Sequence, residues 1–229
     1  MENSQPQHTN RQYEEELRGL RAGLLKMGGL AERQIAEAID SLVNRNTGQA
    51  RDTIARDVEV NRMDTEMDER CIRLLALHQP AASDLRFITT GLKITTDLER
   101  IGDNAVNICE RVVELNQEPQ LKPYIDIPRM AEIAQSMVKD SLDAFMRDDT
   151  TLAEEVIDRD DEVDQLNYQI YRELLSYMAE DPQTIPRATR ILFVSKYLER
   201  IADHATNIAE MVVYMVKGRT IRHMEKKKV

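Results

Sequence analysis

The chain has 229 residues, enough for one large domain or two small ones, and its 41% hydrophobic and 31% charged residues describe a folded, helix-rich chain rather than a disordered one. A formal net charge of −10 argues against broad nucleic-acid binding, which needs a basic face. Aromatic residues are only 4%, with no Trp, which suits thin helical bundles filled by Leu, Ile, Val, Ala and Met.

In chain order, the polar opening MENSQPQHTN (1–10) reads as a loose tail and not as a secretory leader. Six helical patterns follow, at 11–45, 48–78, 84–116, 127–147, 151–179 and 185–217. Breaks separate them near Gly48, at Pro80, across Pro119–Pro128, at RDDTT (147–151) and across Pro182–Pro186. Ser83–Asp84, just before LRFI, is the expected N-cap of the third helix. No segment alternates with period two, so no strand is expected. Cys71 and Cys109 form no Cys-x-x-Cys pair and fall in apolar stripes, as buried thiols of a reducing cytoplasm would. No apolar run approaches the ~20 residues that span a bilayer, so a soluble cytoplasmic protein is expected. The basic run KGRTIRHMEKKKV (217–229) at the end reads as solvated, with 218–229 a loose tail beyond the last helix.

The chain repeats itself. Residues 98–113 and 198–213 agree in eleven of sixteen positions. RDVEVNRMDTEM (56–67) matches RDDEVDQLNYQI (159–170) more weakly. The first helices agree only in apolar pattern, with Ile35, Ile39 and Leu42 opposite Val138, Leu142 and Phe145. The expected architecture is all-α: two tandem, quasi-symmetric three-helix bundles, 11–116 and 127–217, joined by the Pro-rich linker NQEPQLKPYIDIP.

At ~100° per residue, Leu98, Ile101, Ala105, Ile108 and Val112 form a core seam. Glu99, Asp103, Asn107 and Glu110 form a separate line roughly opposite it, with Arg100, Asn104 and Arg111 beyond. The second copy carries Glu199, Asp203, Asn207 and Glu210. The preceding helix of each unit adds its own line: Asp57, Asn61, Asp64 and Asp68 in the first, Asp160, Asp164 and Asn167 in the second. Two such lines on neighbouring helices are expected to meet over a surface groove. An acidic line is commonly just a solvated face. Against that, like charges at i, i+4 repel, no Lys or Arg stands four positions from Glu99 or Asp103, and the pattern recurs in both units. Carboxylates clustered with amides are hard-oxygen donors for a cation. His8 and His223 fall in the tails, His78 sits beside the break at Pro80, and His204 is expected at the surface.

The stretch LLALHQPAASDLRFITTGLKITTDLERIGDNAVNICE (74–110) resembles the signature of the PhoU family, and the resemblance extends from about Tyr13 to Lys217. It implies tandem three-helix bundles, and a cytoplasmic regulator that acts with the Pst phosphate transporter, at its ATPase, and with the PhoR sensor kinase. Such proteins restrain uptake and silence the phosphate-starvation regulon when phosphate is plentiful. A homodimer is the expected assembly. Some members carry multinuclear iron or zinc clusters on Glu/Asp-x-x-x-Asp motifs. Those motifs correspond here to Glu99 and Asp103, Glu199 and Asp203, and Asp160 and Asp164. The remaining copy reads Asp57-x-x-x-Asn61, whose neutral amide implies a weaker first site. DPQTIPRATRILF departs from the HQPAASDLRFI form, so the two units are not expected to be equivalent.

Two other classes compete. A carboxylate-bridged metal oxidase needs Glu-x-x-His pairs facing a bundle core, and no His here has Glu three positions before it. A structural helical adaptor without metal shares the fold and differs only at the acidic lines. No nucleophile stands with a paired base and no Gly-rich phosphate loop is present, so the expected role is binding rather than catalysis.

Overall fold

The computed structural model describes residues 6–218. Among them are six α-helices and no strand: α1 (Pro6–Val43), α2 (Thr47–His78), α3 (Ala82–Leu115), α4 (Asp126–Arg147), α5 (Thr150–Glu180) and α6 (Ile185–Lys217). A 3-10 turn, Pro182–Thr184, leads into α6.

Local chemistry accounts for the ends. Asn46 Oδ1 accepts from the Gln49 amide at 3.1 Å and starts α2. Asp149 Oδ1 accepts from the Thr151 and Leu152 amides at 3.0 and 3.1 Å and starts α5. Gln79 and Asp148 close α2 and α4 in the left-handed region, and Gly218 closes α6 with φ 66°, a conformation that costs glycine nothing.

Each unit packs its three helices pairwise, and the units join through α1 against α4 and α3 against α6. The seam Leu98, Ile101, Ala105, Ile108 and Val112 is fully buried, and so is its copy Leu198, Ile201, Ala205, Ile208 and Val212. Burial repeats position for position from 91–102 to 191–202, so the sequence repeat is a structural one. The apolar core is nonetheless continuous through both units. Phe87 of α3 stacks on Phe145 of α4 across the junction, ring centroids 5.1 Å apart. Gly28 of α1 admits Leu142 of α4, because a Cβ there would lie 2.1 Å from Leu142 Cδ1.

The segment between the units is fastened to both. Arg45 Nη2 donates to the carbonyls of Leu115, Asn116 and Glu118 at 3.5, 3.1 and 2.6 Å, fastening the segment after α1 to the chain that leaves α3. Arg187 donates to the Pro119 carbonyl at 2.9 Å, and Arg190 pairs with Glu114 and Glu118. Lys122, itself buried, pairs with Glu173 of α5. Arg45→Ala removes a charged donor shared by three carbonyls. It is expected to lower unfolding free energy by about 2 kcal/mol, read as a melting temperature lower by roughly 5 °C.

Three expectations change. Residues 6–10 are helical and extend α1; the rest of that expected tail, and the chain after Gly218, lie outside the described residues. Ser83 and Asp84 are not the cap of α3, which starts at Ala82 with no side chain bonding its first turn. Asp84 accepts instead from the Tyr13 hydroxyl at 3.0 Å. Burial, then Asp84, pushes that phenol up to about 12. Third, Asn104 is buried, because α3 meets α6 on that side, and its Nδ2 donates to the Arg100 carbonyl at 2.7 Å. Cys71 and Cys109 are buried free thiols, as expected, and burial pushes both up to about 12. No helix among the described residues is long and apolar enough to cross a membrane.

Candidate functional site

The acidic lines of α2 and α3 meet. Glu99 is held above the ordinary carboxyl range by burial first, then by Asp103, with Asp64 and Asp57 adding repulsion from α2 and Arg100 opposing it. Asp103 is raised by burial and by Asp57, again against Arg100. Asp64 is raised by burial and by Asp68. One patch therefore gathers Asp57, Asp64, Glu99 and Asp103 from two helices. Asn61 joins it by donating to Asp57 Oδ2 at 2.9 Å.

The second unit gathers Asp164, Glu199 and Asp203. The Asp203 carboxyl is raised by burial, Glu199 and Asp164, while Lys196 and His204 pull it down. Asp160 stands one turn before Asp164 on α5.

The two glutamates are less exposed than a solvated face would be, whereas Asp164 and Asp203 remain exposed. The side chains of Glu99 and Glu199 retain 24% and 14% exposure. They also have cations that the i, i+4 rule overlooked. Arg100 lies 3.5 Å from Glu99 and 3.8 Å from Asp103, and Lys196 pairs with Glu199 three residues on. His204, expected at the surface, is half-buried with Nδ1 2.8 Å from Asp97 Oδ1, which ties α6 to α3. The positions equivalent to Asp97 and His204 in the opposite units carry Tyr197 and Asn104.

Of the remaining predicted residues, Glu110 pairs with Arg111 at 3.4 Å rather than joining the patch. Glu210, on α6, also has an interaction partner. Asn167 faces a groove between α5 and α6. Asn107 and Asn207 line a cleft of about 370 Å³ between α3 and α6, together with Arg100, Asp103, Arg200, Asp203 and His204. Each unit supplies equivalent positions to this cleft. Asp103 and Asp203 thus face a common space rather than two unrelated edges.

The units differ in what holds their acids. In the first, Gln34, buried on α1, donates to Asp57 Oδ1 at 3.0 Å. Gly102 gives it room, since a Cβ there would meet Gln34 Oε1 at 3.0 Å and Asp57 Oδ1 at 3.4 Å. The second unit has Met137 and Ala202 at those positions. Gln34 carries no sequence signal, being one amide on a long amphipathic helix. Lys196 was findable, as a cation three positions before Glu199. The donor chemistry suits a hard cation, but among the described residues no three His, Cys, Asp or Glu side chains converge as a ready ligand set. Asp57 and Glu199 are engaged by Gln34, Asn61 and Lys196 instead.

The chain matches the PhoU domain model twice, over residues 24–112 and 127–212. It is 41% identical over 223 residues to a phosphate-specific transport system accessory protein PhoU homolog of Pseudomonas putida, covering 97% of this chain and 87% of that protein. A homolog of the same description from Aquifex aeolicus is 43% identical over 208 residues, covering 91% and 94%. The crystal structure of PhoU from Pseudomonas aeruginosa superposes with a TM-score of 0.87 at 42% identity, covering 90% of this chain and all of that one. That of the phosphate transport system regulatory protein PhoU from Streptococcus pneumoniae gives 0.86 at 31% identity, covering 91% and 99%. With two domain matches and near full-length relatives, this chain belongs to the PhoU family.

Proposed function

We propose that this protein is a cytoplasmic negative regulator of phosphate uptake and of the phosphate-starvation regulon, which works by binding the Pst transporter ATPase and the PhoR sensor kinase. The observation that carries this reading is the near full-length likeness to proteins named as accessory and regulatory components of phosphate transport. Binding suffices for such a role. A regulator that prefers one state of its partner shifts that partner's balance by its differential affinity and needs no reaction of its own.

The acidic patches are the proposed cation sites. Asp57, Asn61, Glu99 and Asp103 would hold iron or zinc in the first unit, and Asp160, Asp164, Glu199 and Asp203 in the second. A bound cation there supplies positive charge that relieves the repulsion raising Glu99, Asp103 and Asp203. Asn61 weakens the first site, while Lys196 competes with a cation for Glu199 in the second. A second reading, a helical adaptor without metal, is favoured by the protein partners those acids already have.

The test is association of the purified chain with the purified transporter ATPase and with the kinase's cytoplasmic portion, each with and without phosphate. Binding to at least one of them is expected, with affinity changing about tenfold between the two conditions, equivalent to roughly 1.4 kcal/mol. Absence of binding to both, in both conditions, ends the regulator reading.

A further inference from the structure

The two units diverge most sharply in a groove between α5 and α6. Its floor and walls hold Tyr168, Tyr171, Leu192 and Phe193, with Asp164 and Lys196 at one end, around about 390 Å³. Tyr168 is 62% exposed, Tyr171 45% and Phe193 47%. Tyr168 stacks with Tyr171, and Phe193 with the half-buried Tyr197. These four are a large share of a chain that has only seven Tyr and three Phe.

The first unit is an internal control. At the positions equivalent to Tyr168, Tyr171, Phe193 and Tyr197 it carries Thr65, Asp68, Lys93 and Asp97. The same helix pair therefore folds and packs without any of these rings. Tyr197 packs partly on the core, but Tyr168, Tyr171 and Phe193 stand exposed, and an exposed aromatic patch that the twin unit folds without marks an interaction site. Tyr and Phe bring large contact area at little entropic loss, which is why they are enriched at interface centres.

The shape and charge of the groove select the occupant. It runs between two long helices and offers no strand edge to pair with, so it suits a helix laid into it. From Asp164 to Tyr171 is seven residues of α5, about 10 Å, or roughly two turns of a partner helix. Asp160 on α5 and Glu199 and Asp203 on α6 continue the acidic end beyond Asp164, against Lys196 and Arg172, whose guanidinium lies 6.0 Å from the Tyr168 ring centroid, so acids outnumber cations in a chain of net charge −10. We propose that this groove docks a cationic amphipathic helix of a partner protein. Its apolar face lies against Tyr168, Tyr171 and Phe193, and its Lys or Arg residues face the Asp160–Asp164 end, where they and a metal ion are alternative occupants of the same carboxylates. The proposal rests on the regulator reading, since it gives the second unit the partner-binding role, but it stands on this groove's own geometry.

A photo-crosslinking amino acid, p-benzoyl-phenylalanine, in place of Phe193 in the full chain tests this in phosphate-replete host cells, with the crosslinked peptide identified by mass spectrometry. The expected product joins position 193 to a Lys- or Arg-bearing amphipathic segment of another protein, and adding Tyr171→Asp reduces its yield at least tenfold. Tyr171→Asp installs the residue of the twin unit, so unchanged circular dichroism and melting temperature are expected. A crosslink to a second copy of this chain, to lipid only, or to nothing overturns the proposal, as does a yield indifferent to Tyr171→Asp. A cationic helix from a protein unrelated to phosphate transport leaves the groove assignment standing and removes the regulator reading. Full-strength binding of the transporter ATPase and the kinase by the Tyr171→Asp, Phe193→Lys variant does the reverse.

Discussion

Phe145→Ala is expected to lower the unfolding free energy by about 3–5 kcal/mol, the range for truncating a buried phenylalanine. The side chain is 1% exposed and stacks on Phe87 across the junction between the units. Its loss opens a cavity beside Phe87 at the junction of the units. With roughly 2–4 °C per kcal/mol for a chain of this size, the melting temperature should fall by about 10 °C. Phe193→Ala is the control. That ring is 47% exposed, and the change should stay within about 0.5 kcal/mol. A Phe145→Ala variant that melts like the parent would mean that the two units do not share a core.

Neutralising the acids should act in the opposite direction on stability. Glu99→Gln with Asp103→Asn removes a like-charged i, i+4 pair and its repulsion from Asp57 and Asp64. The expected gain is a few tenths of a kcal/mol per pair removed, or about 1–2 °C in total. The pH dependence has a definite sign. A carboxyl whose folded pKa lies above its unfolded value costs stability while it is ionised, and that cost disappears as pH falls through the raised folded value. The advantage of the neutral variant is therefore largest at neutral pH and vanishes in acid, below the unfolded carboxyl range. The same substitutions, and Asp203→Asn in the second unit, should also lower iron or zinc per chain in protein purified without chelator. If the neutral amide of Asn61 dominates, the Asp203 change loses more metal than the Asp103 change. Metal content that is unchanged in all variants, or zero in the parent, leaves the adaptor reading without metal.

Much of this was legible because helices advertise one buried face. All six expected helices fall within a few residues of α1–α6, apart from the longer start of α1. Even the weak apolar match of the first helices was sound, since Ile35, Ile39, Leu42, Val138, Leu142 and Phe145 are all buried. The meeting of the acidic lines was also readable, from their shared position at the edges of neighbouring seams. What stayed hidden belongs to contacts between elements. A helical wheel assigns one seam to α3, but α3 packs on α6 as well as on α1 and α2, so Asn104 and His204 are drawn inward on a second face. Gln34 and Arg45 act on partners more than twenty residues away, where sequence spacing carries no signal. The groove aromatics are set apart by exposure in the folded helix pair, which helical periodicity does not encode.

Transcription of phosphate-starvation genes in phosphate-replete cells that lack this protein tests the regulator assignment most directly. A reporter that is silent in the parent strain should switch on when the chain is deleted and fall silent again when the wild-type chain is restored, with no loss of any catalytic step. A reporter that stays silent after deletion contradicts the assignment.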